Sequence, residues 1–146
     1  MIEINIDGAA RGNPGPAGYG IVAVEAGGET LAEGYGFIGE QTNNVAEYCA
    51  LLAALELSHK NGWRELLVRS DSQLLVRQIE GAYKVKNDGL RKLHSRAIQL
   101  IGRFKVFEIE HVPRSDNKLA DKLANKGIDE QKSKPRGINP ILVKGR

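Results

Sequence analysis

The order of predicted elements, β-β-β-α-β-α-α-β-α, implies an α/β fold in which a mixed sheet is covered by helices. Three observations carry that order. Ile2, Ile4 and Ile6 alternate with Glu3, Asn5 and Asp7, the period of two expected of a strand with one buried face. Gly27-Gly28 divides two further strand-like runs, residues 19–26 and 30–38, and signals a hairpin, so the first three strands form an antiparallel meander. Leu51, Leu52, Leu55 and Leu57 then recur at helical spacing before a fourth apolar run at 65–71, which makes that helix a crossover.

Taken in order, the first strand is expected to end at Asp7, because the loop Gly8-Ala9-Ala10-Arg11-Gly12-Asn13-Pro14-Gly15-Pro16 is too rich in Gly and Pro to continue it. Thr42 or Asn43 is a natural N-cap for the first helix, and Gly62 stops it. Glu65-Leu66-Leu67-Val68-Arg69-Ser70-Asp71 repeats the opening pattern of an apolar strand that ends in aspartate. A helix over 72–83 carries Leu75, Val76 and Ile79 on one face, and another over 89–102 has Leu90, Leu93, Ala97, Leu100 and Ile101 as its apolar positions. Residues 104–112 form a fifth strand. Ser115 or Asp116 is expected to cap a last helix through 129, with Leu119, Leu123 and Ala124 pointing inward.

The totals bound the function. A chain of 146 residues is one domain with room for a real core, here 1–129 followed by a tail, 130–146. No apolar run approaches a membrane span, no signal peptide is expected before the first strand, and the single cysteine, Cys49, allows neither an internal disulfide nor a cysteine-based zinc site. Cys49, two residues from Glu47, is expected to be simply packed. A cytoplasmic protein without membrane contact is the expectation. The formal charge is +3, but the excess sits in the tail: Lys132, Lys134, Arg136, Lys144 and Arg146 face only Glu130, whereas residues 1–129 hold 16 basic groups against 17 acidic ones. The tail also ends in an apolar run, Ile138 to Val143, which either docks on the body or binds a partner.

The carboxylates carry the chemistry as a set. If the first and fourth strands lie side by side and parallel, Asp7 and Asp71 emerge at one sheet edge, where sites of open α/β sheets form. Glu47 falls in the first turn of the crossover helix, and Asp121 one turn inside the last, on the face of Asn117 at i−4. Acidic groups converging there repel one another without a cation, and hard divalent ions such as Mg²⁺ take oxygen ligands. Two such ions about 4 Å apart activate a water and stabilise a leaving oxygen in phosphodiester cleavage. Taken singly, each residue has a plainer reading: Asp7 and Asp71 as turn formers, Glu47 as an acid favoured by the helix dipole, Asp121 as a solvated helix charge.

Four blocks resemble the motifs of type 1 ribonucleases H, and they arrive in that family's order over about residues 1–129. DGAARGNPGPAGYG is similar to the first-strand signature, TNNVAEYCALLAAL to the first-helix motif, SDSQLLVRQI to the fourth-strand motif and HVPRSDNKLADKLAN to the last-helix motif. The resemblance implies a ribonuclease H-like fold with a five-stranded mixed sheet, strands one to three antiparallel and strands four and five parallel to the first, flanked by helices. It implies endonucleolytic hydrolysis of the RNA strand of RNA–DNA hybrids, leaving 5′-phosphate and 3′-hydroxyl ends. Two Mg²⁺ (or Mn²⁺) ions would be held by Asp7, Glu47, Asp71 and Asp121, with Asp7 placed to bridge them. Asn13, Asn43, Asn44 and Gln73 match positions that touch the hybrid's minor groove, where amides read base edges and 2′-hydroxyls without demanding a sequence. Thr42 matches a position that holds a DNA-strand phosphate at a helix N-terminus.

Two departures qualify the match. Many relatives carry a mobile histidine before the last helix, where this chain has Arg114 in Val112-Pro113-Arg114; arginine is a poor general acid, so Arg114 is expected to neutralise charge on the scissile phosphate, its plainer role being a surface salt bridge. His111 is expected to be structural, and His59 and His94 to be ordinary polar positions on helices. The second departure is the short link 83–89, with only Lys84 and Lys86 where some relatives insert a basic helix and loop that grips DNA. The basic tail either replaces that grip or is simply solvated. The expected partner is the hybrid, bound by a monomer with no obligate protein partner. Competing readings are a non-cleaving nucleic-acid-binding module of the same fold, which has no reason to keep all four carboxylates, and another metal-dependent nuclease of the wider superfamily, against which the GNPGP and TNN–AE blocks stand.

Overall fold

The structure, a computed structural model, describes residues 1–131 and 141–144, with side chains described through residue 130. Strands β1 (Ile2–Ala10), β2 (Gly15–Glu25) and β3 (Thr30–Gln41) make the antiparallel meander. Helix α1 (Asn43–Lys60) crosses over to β4 (Glu65–Ser70), which lies parallel to β1. Helices α2 (Gln73–Glu80) and α3 (Asp88–Ile101) lead to β5 (Val106–His111), parallel to β4, and α4 (Lys118–Gln131) follows. The five expected strands are present with their expected directions. A sixth, β6 (Ile141–Lys144), pairs antiparallel with the outer edge of β3, giving the order β5-β4-β1-β2-β3-β6. The apolar end of the tail thus docks on the body: a β-prone run covers unpaired backbone groups at a sheet edge. Among the described residues no helix is long and apolar enough to cross a membrane.

Alternation decides which face each strand gives to which helix. Ile2, Ile4 and Ile6 of β1 and Tyr19, Ile21 and Ala23 of β2 are buried in one core with α1. Val22 and Tyr35 belong to a smaller cluster with Leu123 of α4, so α4 covers the opposite face. Helix α1 is buried almost all round, Ala46 through Leu55 without a break, because the sheet lies under it and α3 packs against it as well. Leu51 and Leu55 are fully buried, each stabilising the fold by about 1.5–3 kcal/mol.

Several boundaries differ from the sequence expectation, each for a local reason. Strand β1 passes through Asp7 to Ala10, since pairing with β2 continues from Asp7–Gly20 to Ala10–Ala17 after pairing with β4 has stopped at Ile6–Ser70. Helix α2 ends at Glu80, where Gly81 turns left-handed at φ 87°. Ser115 and Asp116 do not cap α4; residues Arg114–Asp116 form a 3₁₀ turn, and the Asn117 carbonyl accepts the N–H of Asp121.

Helix α4 comes unusually close to the sheet. A β-carbon on Gly20 would overlap the Ala120 carbonyl oxygen and sit 2.6 Å from the Ala124 nitrogen. Gly20→Ala should therefore push α4 outward and lower stability by about 1–3 kcal/mol, read as a lower urea midpoint. An unchanged midpoint would mean that this close approach is not a constraint.

Candidate active site

The site forms where β4 ends beside a β1 that continues. Asp7 is the first β1 residue beyond the parallel pairing, and Asp71 is the first residue beyond β4. Asp7 is only 3% exposed and Asp71 is largely covered. Glu47 reaches them from above. Helix α1 begins at Asn43, so Glu47 lies in its second turn and not in the first as expected, and it gains nothing direct from the terminal N–H groups of its own helix. It is placed instead by Gly8, whose N–H donates to Glu47 Oε1 at 2.9 Å in a buried bond. Any β-carbon on Gly8 would overlap the Ala46 carbonyl and the Glu47 nitrogen, so the glycine next to Asp7 is what lets α1 approach the strand.

Carboxylate oxygens of Asp7, Glu47 and Asp71 all lie within 4.8 Å of one another. Asp121 stands at the border of this trio. The 3₁₀ turn shifts the helix start, which puts Asp121 in the first turn of α4, where the dipole favours its charge. The start of α4 is strapped to β1: Asn117 Nδ2 donates to the Ile6 carbonyl at 2.8 Å, and Asn5 Nδ2 donates to Asn117 Oδ1 at 3.0 Å.

Burial first, then the charges of Glu47 and Asp71, then an Asp121 carboxyl within hydrogen-bonding reach, push Asp7 up to about 9. Burial and the charge of Asp71 push Glu47 up to about 8, against the lowering pull of the Gly8 N–H and of Arg114. Without a counter-ion the cluster keeps protons at neutral pH. An all-oxygen donor set that must otherwise hold protons fits a hard divalent cation, which replaces them. Arg114 Nε lies 4.0 Å from Asp71 Oδ2 with 86% of its side chain exposed, so the pair itself contributes little and the guanidinium stands over the site.

The expected substrate residues lie in the loop after β1 and at the starts of α1 and α2. Thr42 rather than Asn43 is the N-cap of α1, its Oγ1 accepting the Val45 N–H at 3.2 Å. Asn43 Oδ1 accepts the Ala10 N–H at 3.0 Å and Asn13 Oδ1 accepts the Asn43 N–H at 3.0 Å, which binds the glycine loop to the start of α1. Asn44, also exposed, follows in α1, and Gln73 is the exposed first residue of α2, behind its cap Ser72.

The remaining residues have structural roles. His59 stacks on Phe104 with centroids 4.3 Å apart, and its Nε2 meets the Leu100 carbonyl at 3.0 Å. His94 Nε2 meets the Gln78 carbonyl at 3.2 Å. His111 ends β5, exposed. Cys49 packs in the core, and burial pushes its thiol up to about 11. Only residues 82–87 separate Gly81 from α3, so no basic insertion is present there. The tail's expected grip on the hybrid falls largely on Lys132, Lys134, Arg136 and Arg146, which lie outside the described residues. Sequence reasoning missed Gly8 and the Asn5–Asn117 strap; the Asp-Gly pair at the strand end was the available signal for the first.

Residues 5–127 match a family described as Reverse transcriptase-like. The chain is 47% identical over 129 residues to Ribonuclease HI of Halobacterium salinarum, covering 88% of this chain and 65% of that protein. It is equally identical over 129 residues to Bifunctional protein Rv2228c of Mycobacterium tuberculosis, but spans only 35% of it. Among solved structures, LC11-RNase H1 in complex with RNA/DNA hybrid superposes with a TM-score of 0.86 at 44% identity, covering 90% of this chain and 99% of that one. The chain belongs to the ribonuclease HI family. Within that family it has the form without a basic protrusion between α2 and α3.

The raised pKa values make a stability prediction. A carboxyl whose folded pKa lies above its unfolded value favours folding fully below about pH 4, and that contribution is lost as pH rises to the folded value. Metal-free protein should thus weaken between about pH 4 and pH 9. Asp7→Asn removes the largest of these groups, so at pH 8 without metal its Tm should exceed wild type by about 2–6 °C, with little difference near pH 4. A variant no more stable at pH 8 would contradict the electrostatic account.

Proposed function

We propose that this chain is an endoribonuclease that hydrolyses the RNA strand of RNA–DNA hybrids, leaving 5′-phosphate and 3′-hydroxyl ends. The observation that carries the reading is the convergence of Asp7, Glu47 and Asp71 within 4.8 Å, with Asp121 beside them. Burial and mutual repulsion leave that arrangement holding protons unless divalent cations replace them, and the nearby amides of Asn13, Asn43, Asn44 and Gln73 carry no charge. The hybrid bound by LC11-RNase H1 supports the substrate class.

Asp7, Glu47, Asp71 and Asp121 would hold two Mg²⁺ ions, with Mn²⁺ as an alternative. When bound, the ions supply the Lewis acidity that activates a water and stabilises the leaving 3′-oxygen. The chain's own groups do the rest. Gly8 N–H and the α1 packing hold Glu47 in place, so no reorganisation is needed when charge develops. Arg114, exposed above Asp71, neutralises charge on the scissile phosphate; its pKa keeps it from acting as an acid. Asn13, Asn43, Asn44 and Gln73 present amide groups to the minor groove, where 2′-hydroxyls distinguish RNA from DNA. The Thr42 oxygen accepts from Val45, which leaves its hydroxyl proton for a DNA-strand phosphate. A cytoplasmic monomer fits this reading.

The test is cleavage of a labelled hybrid beside duplex RNA, duplex DNA and single strands, with Mg²⁺ and then with EDTA. Hybrid-selective, EDTA-sensitive cutting is expected, abolished by Asp7→Asn and by Asp71→Asn. Cutting of all duplexes alike, or none, would overturn the proposal. Arg114→Ala should lower kcat by about tenfold to a hundredfold with a small change in KM; an unaltered kcat would return Arg114 to the role of a surface charge.

A further inference from the structure

We infer that Arg11 and Asn125 are positioning residues for Asp121, and that they tie this carboxylate to the loop carrying Asn13. The inference rests on the reading of Asp121 as a metal ligand. Asn125 lies one turn beyond Asp121 on α4, half-buried, and its Nδ2 donates to the Asp121 carbonyl at 3.0 Å and toward the Asp121 carboxylate at 3.5 Å. Its Oδ1 accepts from Arg11 Nη2 at 3.1 Å. Arg11 Nη1 is paired with Asp129 at 2.6 Å, and Nη2 also reaches the Asn125 carbonyl at 3.5 Å.

The chemistry of the donors sorts the amide. A guanidinium has five N–H donors and no acceptor, so only the oxygen of Asn125 can face it. That leaves the NH₂ group, and no lone pair, facing Asp121. With the amide flipped, an oxygen would confront the carbonyl and carboxylate of Asp121 and meet no donor. Arg11 thus selects the one orientation that supports the carboxylate. Its planar fork can hold Asp129 and Asn125 together, which a lysine ammonium on a flexible stem cannot reproduce.

Arg11 also belongs to the substrate side of the molecule. It opens the loop between β1 and β2, which its own N–H closes onto the Pro16 carbonyl at 2.8 Å, and Asn13 of that loop is bonded to the start of α1. Asp121 sits on α4 across the sheet from α1. The Arg11–Asn125 contact is therefore a route by which the loop's position and the fourth carboxylate are set together. Groups that orient a metal ligand without touching the metal affect both affinity and activity.

Two variants keep the local charge or volume while removing the orientation: Arg11→Lys and Asn125→Leu. Mn²⁺ is titrated calorimetrically into each full chain alone, and the Mg²⁺ dependence of hybrid cleavage is measured in parallel. Both variants should bind Mn²⁺ and reach half-maximal cleavage at concentrations about three- to thirtyfold higher than wild type. A purely electrostatic role for Arg11 predicts wild-type metal binding in Arg11→Lys, and that result overturns the inference. So does a raised KM with unchanged Mn²⁺ affinity, which would make Arg11 a substrate contact, and so does a lowered Tm alone. Should the wild type bind Mn²⁺ yet cut no hybrid, the hydrolase reading fails while the Mn²⁺ titrations still decide this one.

Discussion

Three carboxylates held within 4.8 Å of one another, two of them buried, form the constraint on which this molecule turns. Like charges at that distance in a poorly solvated place do not coexist, and the protein answers with retained protons or with bound cations. Everything around the cluster serves to keep it assembled. Strand β1 runs past the end of β4 to expose Asp7, Gly8 has no side chain to hold α1 away, and its N–H fixes Glu47. The rigidity comes from the most buried elements of the fold, since α1 is covered on nearly every side.

The fourth carboxylate arrives by a different route. Helix α4 covers the other face of the sheet, close enough to forbid any side chain at Gly20, and Asn117 ties its start to the backbone of Ile6, the residue before Asp7. Asp121 is half-buried and reaches only the border of the trio. Its own hydrogen-bond partner is Asn125, one turn along α4, which Arg11 holds in turn. The two faces of the sheet thus contribute unequally: one supplies a fixed core of charge, the other an adjustable member.

Much of this was legible in the sequence. The alternation of Ile2, Ile4 and Ile6 marked the first strand and its buried face, and the two apolar runs that reach Asp7 and Asp71 marked the sheet end that carries the site. Four motif blocks in order identified the family, and three of the carboxylates they pointed to, Asp7, Glu47 and Asp71, converge in the structure. What escaped depended on partners far along the chain. Nothing local says that β1 continues through Gly8-Ala9-Ala10, because only pairing with β2 sustains it. The 3₁₀ turn that moved Asp121 into the first turn of α4 hides behind residues that are good caps, and the sixth strand became a strand only against the open edge of β3. Arg11 and Asn125 are 114 positions apart and read as unremarkable polar residues until the fold brings them together.

The central claim, that this cluster is a cation site held together against its own charge, is tested most directly by counting protons. Mn²⁺ should be titrated into the chain by calorimetry in buffers of different ionisation enthalpy, from neutral pH to about pH 10. Because Asp7 and Glu47 are held up to about 9 and about 8 in the absence of ions, binding at pH 7 should release about one to two protons per chain, falling toward none at the alkaline end. Tight binding at pH 7 with no proton released would contradict the account.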